Sequence, residues 1–404
     1  MVTDVLSFDE ARARLLSDVD RLSVERVSLL AAAGRVLAAD LAAGDPLPRF
    51  DHSSMDGYAV ATSEFEGSGP WTFRVTGLGG AGTAPDSLPV GSAARIFTGA
   101  PLPHRADAVV MQERAARAGQ DVCFDSKPDR GQHVRHAGED LARGAVAIEG
   151  GTRLGAGSLA LAAMLGRVEL SVARRPRVTI LATGDELCGP GEALGPATIH
   201  ESNAPALAAL ALQAAATPRL APLVRDDAGA MKRAVEEALE GTDLLLTVGG
   251  VSVGDHDLVR PALERAGVVL DFWKVAMKPG KPVAVGRAGG RHVLALPGNP
   301  ASAIVTFALF GIPLLRALQG DRTPCAMAIP ARANAPRVRA ADRVEFVRAV
   351  LRTQDGALVA FANDNQASGA ATSVARSDGL MVVPAGDHPL AAGSPVEFLR
   401  WADA

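Results

Sequence analysis

The segment from residue 176 to residue 320 constrains the fold most, because strand-like and helix-like patterns alternate along it. Short apolar runs give way repeatedly to longer helical patterns, each bounded by glycine, proline or acidic residues. Alternation of this kind predicts a mostly parallel sheet with helices on both faces. The predicted strands are 178–182, 220–224, 244–248 and 293–296, and the predicted helices are 204–216, 228–240, 258–265 and 301–318.

The predicted secondary structure changes on both sides of this segment. A capping box formed by Ser7 and Glu10 predicts that a helix opens the chain, and a second helix is predicted over 158–165. Alternating apolar residues and frequent turn residues indicate a β-rich unit over 46–140. After Pro324 the helical signal fades, and short strand patterns fit a small C-terminal β-barrel or sandwich.

Composition excludes several classes of protein. Lys and Arg total 41 against 45 Asp and Glu, and aromatic residues are only 4%, so neither a basic footprint nor a base-stacking platform for nucleic acid is present. The 3 cysteines form no C-x-x-C pair or disulfide framework, which fits a reducing compartment. Acidic residues near the start argue against a signal peptide, and prolines interrupt the longest uncharged run, 293–315. We therefore expect a cytoplasmic protein without a membrane span.

Three loops that directly follow predicted strands carry the residues best suited to chemistry. In an open α/β sheet, ligands bind beyond the carboxyl ends of the strands. Each loop combines glycine, whose backbone N–H groups can approach an oxyanion closely, with small polar or acidic residues that suit Mg²⁺. One such loop alone is typical of an ordinary turn with an Asp cap, but three together favour a phosphate and metal site. The loops are 183–187, 249–257 and 297–300.

A proline-stiffened basic loop follows, in which Lys274, Lys278 and Lys281 lie within eight residues. Because lysines repel one another, fixing three of them makes sense where a polyanion is to be neutralised. The alternative is a solvated basic turn. Asp226, which precedes a predicted helix, fits a helix cap as well as it fits a metal or substrate contact.

One motif-like pattern carries no such weight. The glycines at 77–82 match G-x-G-x-x-G, but prolines follow at once, so no helix can begin there to receive a pyrophosphate. The sequence also has no Walker A motif and no G-x-S-x-G elbow, which removes the usual support for kinase and hydrolase functions.

Together these motifs resemble the molybdopterin molybdenumtransferase family, which includes MoeA and the gephyrin E domain. Besides the loops named above, the resemblance covers 50–60 (FDHSSMDGYAV), 95–101 (RIFTGAP) and 138–140 (GED). It runs in order from about residue 45 to residue 320, and the last part of the chain matches more loosely.

The resemblance implies insertion of molybdate into adenylylated molybdopterin, with release of AMP and with Mg²⁺ as the metal. It implies a homodimer that contacts the adenylyltransferase and the recipient molybdoenzymes. It also implies four domains, which are a discontinuous elongated domain (1–45 and 141–175), a β-rich inserted domain (46–140), a MogA-like α/β domain (176–326) and a C-terminal β-barrel (327–404).

Site residues follow from the resemblance position by position. The catalytic group is Asp56, Glu186, Asp257, Lys274 and Lys278, and Glu186 and Asp257 are also the metal ligands. The substrate-binding group is Thr98, Asp140, Gly184, Asp226, Gly249, Gly250, Ser252, Gly254, Lys281, Pro297, Gly298, Asn299, Arg348 and Ser368. Asp56 lies in a different predicted domain from the α/β loops, so in a homodimer it would reach the site from the partner subunit. Its Asp-Gly pair is equally typical of a hairpin turn.

Two other functions stay open at this point. The preceding step, adenylylation of molybdopterin, uses the same α/β domain, and the gephyrin E domain also serves as a non-catalytic scaffold. The long segment before residue 176, with its motif at 51–60, favours insertion over adenylylation. The full set of acids and lysines argues against a purely structural role.

Overall fold

The computed structural model describes residues 5–84, 86–250 and 258–401. Within these ranges the helices are α1 (Phe8–Leu16), α2 (Ala156–Met164), α3 (Asn203–Gln213), α4 (Ala228–Leu239), α5 (Val259–Arg265), α6 (Pro300–Thr306), α7 (Ile312–Leu318) and α8 (Ala371–Ala375). A π-helical turn, Phe307–Gly311, joins α6 to α7 in one continuous helix.

The strands of the same ranges complete the element order. They are β1 (Val24–Ser28), β2 (Leu41–Ala42), β3 (His52–Ser53), β4 (Gly57–Val60), β5 (Trp71–Gly79), β6 (Ser92–Ile96), β7 (Ala108–Met111), β8 (Ala115–Ala118), β9 (Asp121–Phe124), β10 (Val134–Arg135), β11 (Val146–Ile148), β12 (Glu169–Ala173) and β13 (Arg177–Ala182). They continue as β14 (Leu187–Cys188), β15 (Ile199–His200), β16 (Thr217–Leu220), β17 (Leu244–Val248), β18 (Val269–Lys274), β19 (Met277–Lys278), β20 (Pro282–Ala288), β21 (Arg291–Leu296), β22 (Ile329–Ala333), β23 (Val344–Gln354), β24 (Ala357–Ala362), β25 (Gly379–Val383) and β26 (Pro395–Arg400).

The chain divides into two compact units. The large unit comprises Met1–Ala39, Gly151–Ala156 and Glu169–Ala404, and the small unit comprises Asp40–Gly150 and Gly157–Val168. In the large unit, the capping box predicted for α1 is confirmed, because Ser7 Oγ accepts the Glu10 N–H at 3.3 Å while the Glu10 carboxylate accepts the Ser7 N–H at 3.0 Å.

The centre of the large unit is a six-stranded sheet in the order β16-β13-β17-β21-β20-β18. The four strands from β16 to β21 are parallel, and β20 runs antiparallel to both of its neighbours. Alternate residues of β17 face opposite sides, so Leu244 and Leu246 join a core with α1, α3, α6 and α7, whereas Leu245 joins a core with α4 and α5. The prediction of a mostly parallel sheet covered on both faces is confirmed.

Two features of this sheet differ from the prediction. The strand expected at 220–224 is wrong in position, since β16 spans Thr217–Leu220; its Pro218 is accommodated because β16 is an edge strand, where a missing N–H is tolerated. The prediction also omitted β18 and β20, which extend the sheet beyond β21.

The helix Pro300–Leu318 is long and apolar enough to cross a membrane by length and composition alone. However, 89% of its apolar window is buried inside the protein. Its residues Val305, Phe310 and Leu314 belong to the core beneath the sheet. It therefore has the burial pattern of a core helix.

The end of the chain forms the predicted barrel. Strands β23, β24, β22, β26 and β25 follow one another, and β25 pairs back onto β23 to close the ring. The barrel core includes Val347, Ala360, Met381 and Phe398. Strand β19 joins the outside of the barrel by pairing with β23.

The small unit is built on a second six-stranded sheet, in the order β7-β4-β6-β5-β9-β8. Aromatic residues fill its core, with the rings of Phe65 and Phe73 4.8 Å apart and Tyr58 and Phe124 6.0 Å apart. The β-rich secondary structure predicted for 46–140 is confirmed. The glycines at 77–82 lie at the end of β5 and in the turn after it, as expected for a hairpin or loop.

Candidate functional site

The carboxyl ends of three neighbouring strands meet at one edge of the large unit's sheet. Ala182 at the end of β13 pairs with Val248 at the end of β17, and Val248 pairs with Leu296 at the end of β21. The loops that follow these residues therefore begin side by side. They are the three loops that the sequence singled out.

Strands β18 and β20 bring the lysine loop to the same edge. Ala284 of β20 pairs with Ala295 of the antiparallel β21, so β20 begins where β21 ends. Lys274, the last residue of β18, pairs with Pro282, the first residue of β20. Within the described residues, neither the Lys274 nor the Lys281 ammonium has an ion-pair partner, and Lys281 is exposed. The edge thus carries positive charge beside the glycine loops.

The glycine loops pack against one another through backbone atoms. Gly249 has a φ of 95°, and a Cβ there would lie 2.6 Å from the Thr183 carbonyl oxygen. A Cβ on Gly298 would lie 3.4 Å from Gly249 Cα, at the tight end of ordinary contact. The Gly249 N–H donates to Leu296 O at 3.2 Å, whereas the Gly250 N–H makes no backbone hydrogen bond in the described part of the chain. A glycine amide of this kind can donate to a bound anion.

The acidic residues of the first loop and of the β16–α4 connection are exposed. The Glu186 carboxylate folds over Gly184, where a Cβ would force it to move, and it has no hydrogen-bond partner among the described residues. The cap of α4 is Asp227, whose Oδ1 accepts the Ala230 N–H at 2.7 Å. Asp226 is therefore not the cap, and its own N–H donates to Asp185 Oδ1 at 3.0 Å.

The second loop is described only at its start. Gly249 and Gly250 lie within the described residues, whereas the predicted site residues Ser252, Gly254 and Asp257 lie outside them. Among the residues that are described, His, Cys, Asp and Glu form no group of three able to hold a metal ion.

A buried carboxylate holds one of the lysines. Lys278 Nζ lies 3.2 Å from Glu345 Oε1, and the second oxygen of Glu345 lies 3.6 Å from Arg337. Lys278 is 53% exposed, whereas the Glu345 side chain is 9% exposed. The Lys278 ammonium is thus bound by the barrel on one side and exposed to solvent on the other.

The barrel also contributes the segment that carries Ser368. Asn299 Nδ2 donates to Ser368 Oγ at 3.0 Å, and the Ala301 N–H donates to the Ser368 carbonyl at 3.0 Å. Arg348 does not face this contact directly. Its guanidinium is fully buried and donates to Ser373 Oγ at 3.0 Å and to the Ala367 carbonyl at 2.9 Å. Burial, and then the charge of Arg337, lower the pKa of Arg348 below its usual range.

In the small unit, two of the predicted residues meet. Asp56 Oδ1 accepts the Thr98 N–H and the Thr98 hydroxyl, both at 2.8 Å. These two bonds, the backbone one first, lower the pKa of Asp56 despite a small opposing effect of burial, with Arg95 adding its positive charge. Asp140 is exposed on another loop of the unit, where its N–H donates to the Leu47 carbonyl at 3.0 Å.

Sequence reasoning missed several residues next to these loops. Thr183 is 4% exposed, and its hydroxyl has no hydrogen-bond partner among the described residues although it lies against Gly249 and Gly250. Asn203 donates from Nδ2 to the Gly298 carbonyl at 2.8 Å. Glu345 was missed as the partner of Lys278. Their residue types are common in caps, strands and surface pairs, so only the fold distinguishes them.

Family models match almost the whole chain in order. The MoeA N-terminal region (domain I and II) matches residues 6–166, the probable molybdopterin binding domain matches 179–317, and the MoeA C-terminal region (domain IV) matches 330–401. The second match spans the six-stranded sheet of the large unit. The chain is thus a multidomain protein whose central α/β sheet is of the molybdopterin-binding type.

Individual proteins agree with these models over most of their length. A molybdopterin molybdenumtransferase of Bacillus subtilis is 35% identical over 97% of this chain and 93% of its own, and one of Haemophilus influenzae is 37% identical over 79% of both. The crystal structure of a molybdopterin biosynthesis MoeA protein from Pyrococcus horikoshii superposes with a TM-score of 0.85 at 27% identity, covering 98% of this chain and 100% of that one. The chain belongs to the MoeA family of molybdopterin molybdenumtransferases.

Proposed function

We propose that this protein inserts molybdate into adenylylated molybdopterin, releasing AMP and forming the molybdenum cofactor. The observation that carries the proposal is the meeting of three strand-end loops and the lysine loop at one edge of a sheet. Relatives that match nearly the whole chain carry the name molybdopterin molybdenumtransferase, which supports the same reaction.

The substrate chemistry matches the groups at this edge. Adenylylated molybdopterin carries phosphates, and molybdate is a second oxyanion, so the site must bind several negative charges close together. Backbone N–H groups of glycine loops bind oxyanions, and lysines neutralise their charge. Lys274, Lys278 and Lys281 supply three ammonium groups at or next to the strand ends. The thiolates that bind molybdenum belong to the pterin, so no protein cysteine is required.

Roles for the predicted residues follow from this chemistry. We assign Lys274 and Lys278 to phosphate or molybdate, and Thr98 and Ser368 to the lining of the pocket. Arg348 supports the Ser368 segment from the interior of the barrel, because its guanidinium binds Ala367 and Ser373. The remaining substrate contacts are assigned to Asp140, Gly184, Asp226, Gly249, Gly250, Ser252, Gly254, Lys281, Pro297, Gly298 and Asn299.

Mg²⁺ fits the acidic side of the same edge. Mg²⁺ needs only one or two protein carboxylates when waters and substrate phosphates fill its other positions. The exposed Glu186 carboxylate, which no described residue binds, has this chemistry, and Asp257 is proposed as its companion. When bound, the ion would neutralise phosphate charge and so assist cleavage of the anhydride. Glu186 would hold the ion while the lysines bind the remaining phosphate and molybdate oxygens.

Cleavage of the phosphoanhydride then depends mainly on positioning and charge stabilisation. The bond between AMP and the pterin phosphate breaks when the oxygen of a water or of molybdate attacks phosphorus, and AMP leaves. Molybdenum binds the two dithiolene sulfurs, which lose their thiol protons. One oxygen of the oxyanion leaves with these protons as water or, when molybdate is the nucleophile, stays on the pterin phosphate as its Mo–O bond breaks. Glu186 and Asp257 are proposed to serve the nucleophile as well as the metal, and Asp56 is proposed as a further catalytic carboxylate.

We further propose the quaternary arrangement and setting implied by the family. The protein acts as a cytoplasmic homodimer, and Asp56 of one subunit serves the site of its partner. The chain has four domains with the boundaries given above, and it contacts the adenylyltransferase that supplies its substrate and the molybdoenzymes that receive its product. Sedimentation of the purified protein tests the dimer.

The two alternative functions are not favoured. A pure adenylyltransferase would need only the α/β domain, whereas the family match extends over 6–166 and 330–401 as well. A non-catalytic scaffold would have no need for a group of lysines at the strand ends. The proposed enzyme uses all of these parts.

An assay of AMP release tests the proposal. Purified protein is given adenylylated molybdopterin and Mg²⁺, with or without molybdate, and AMP is quantified by chromatography. We expect AMP to appear with molybdate and to be matched by molybdenum bound to the pterin. Production of adenylylated molybdopterin from ATP, with no molybdate-dependent release, would assign the preceding step instead.

A further inference from the structure

The segment Ile199–Asn203, called the strap below, connects two of the site loops, and no motif of the sequence marked it. At its start, the Ile199 N–H donates to the Glu186 carbonyl at 2.8 Å, and the Glu201 N–H donates to the Cys188 carbonyl at 2.9 Å. Strands β14 and β15 pair in parallel through these bonds. One end of the strap is therefore fixed to the loop that carries Glu186.

The other end of the strap is bonded to the third loop. Asn203 Nδ2 donates to the Gly298 carbonyl at 2.8 Å, a contact between residues 95 positions apart. The next residue, Asn299, donates to Ser368 at 3.0 Å. A single path of hydrogen bonds thus runs from the Glu186 loop, through the strap, to the segment that carries Ser368.

The middle of the strap is held by a buried carboxylate. Glu201 is 6% exposed, and its Oε1 accepts the N–H groups of Asn203 at 2.6 Å and Ala204 at 2.9 Å. These are the first amides of α3, where a negative charge is favourable. Leu207 and Ala211 anchor the same helix in the core. These contacts hold the Asn203 backbone at the start of α3, from which its side chain reaches Gly298.

Local capping does not account for the asparagine. The cap position of α3 is Ser202, whose side chain makes no capping bond, and Asn203 is the first residue of the helix. Asn203 is 8% exposed, and its Oδ1 has no partner among the described residues. A buried amide that serves no helix cap and reaches a distant carbonyl has a tertiary role.

We infer that Asn203 is a positioning residue for the reaction, which sets the Gly298 carbonyl and thereby the Pro297–Asn299 loop relative to Glu186. The inference rests on the proposed function. Glycine has no side chain to restrain it, so its peptide can rotate unless its carbonyl is bonded. Displacement of a site loop by about 1 Å lowers a rate by roughly two orders of magnitude.

Kinetics of Asn203→Ala and Asn203→Asp test the inference. Alanine removes the amide, and an ionised aspartate keeps the size but cannot donate to a carbonyl. We expect kcat for AMP release to fall at least tenfold in both, with a smaller change in KM. Ser202→Ala, the neighbouring exposed residue, should keep the wild-type rate. Val235→Ala, which truncates a buried residue of α4, serves as a control with comparable loss of thermal stability.

Hydrogen exchange gives a second readout that does not depend on turnover. Asn203→Ala should speed exchange of the amides of Ala301 and Ala303, which lie just after the Gly298 loop, while Val235→Ala should leave them unchanged. Wild-type kcat in Asn203→Ala, or a loss no greater than that of Val235→Ala, would overturn the inference. So would unchanged exchange at these amides. Failure of the wild-type protein to release AMP would instead defeat the proposed function.

Discussion

The Asp56 carboxylate accepts two hydrogen bonds from Thr98, one from its N–H and one from its hydroxyl, each at 2.8 Å. The two residues belong to separate motifs, 42 positions apart in the chain. Because both bonds favour the ionised carboxylate, they lower the pKa of Asp56 below its ordinary value. Thr98 thus orients the Asp56 carboxylate within the small unit.

Thr98→Val tests this relationship. Valine keeps the backbone bond but removes the hydroxyl bond, so the pKa of Asp56 should rise towards its ordinary value. A hydrogen bond to a charged group is among the stronger ones in a protein. Loss of the Thr98 hydroxyl bond, which orients Asp56, should therefore lower the rate of AMP release about tenfold. Thr98→Ser should restore the rate, and Thr72→Val, an exposed threonine of β5, serves as the control. An unchanged rate in Thr98→Val would separate Asp56 from the reaction.

Lys278→Ala should remove activity with little effect on folding. Lys278 is 53% exposed, and the buried Glu345 keeps Arg337 at 3.6 Å, so the free energy of unfolding should change by less than about 1 kcal/mol. The rate of AMP release should fall at least ~100-fold if the ammonium stabilises charge in the transition state. Lys232→Ala removes a similarly exposed lysine, paired with Glu236 on α4, and is the control. A stable, fully active Lys278→Ala protein would contradict the proposed role.

Unlike Lys278→Ala, Arg348→Met should lower the stability of the folded protein. The guanidinium is fully buried and satisfies Ser373 and the Ala367 carbonyl, so its loss should lower the free energy of unfolding by about 3 kcal/mol. Denaturant unfolding measures this change. Arg352→Ala, on the exposed side of the same strand, should have a small effect. If Arg348→Met lost activity at wild-type stability, Arg348 would act on the substrate rather than on the Ser368 segment.

His292 makes stability depend on pH. Burial, and then the charge of Arg287, lower its pKa to about 4, against the opposing charges of Asp20 and Asp243. The unfolded chain therefore takes up this proton at a higher pH than the folded protein does. Stabilisation is complete above the ordinary pKa of 6.5 and is lost as the pH falls towards 4, by about 3 kcal/mol.

Unfolding of wild type and His292→Phe at pH 7, 5.5 and 4 measures this contribution. The difference in unfolding free energy between them should shift in favour of the variant as the pH falls. His388→Phe, an exposed histidine, should follow the wild type. Parallel pH curves for wild type and His292→Phe would show that His292 titrates alike in the folded and unfolded states.

Sequence periodicity predicted the main elements of the α/β sheet because its strands are buried on both faces and read as continuous apolar runs. Residues 244–248 became β17 without a shift. Strand β16 was misplaced because Pro218 is acceptable only where a strand lies at an edge, which is a property of the assembled sheet.

The candidate site was predictable where its residues follow strands. Glu186, Gly249 and Gly298 follow β13, β17 and β21, so the strand order alone brings their loops together. Asn203 and Glu345 were not predictable, because their roles depend on contacts 95 and 67 positions away in the chain. Such pairings arise from packing of helix and barrel against the sheet, which periodicity does not encode.

The most direct test of the central claim, that these loops form one substrate site, is a crystal structure of the protein with AMP and Mg²⁺ bound. The account predicts the AMP phosphate within hydrogen-bond distance of the backbone at Gly250 or Gly298, on the side of Lys274 and Lys278. Phosphate bound instead beside Arg219 and Arg233, in the pocket between β16 and α4, with the strand-end loops empty, would contradict it.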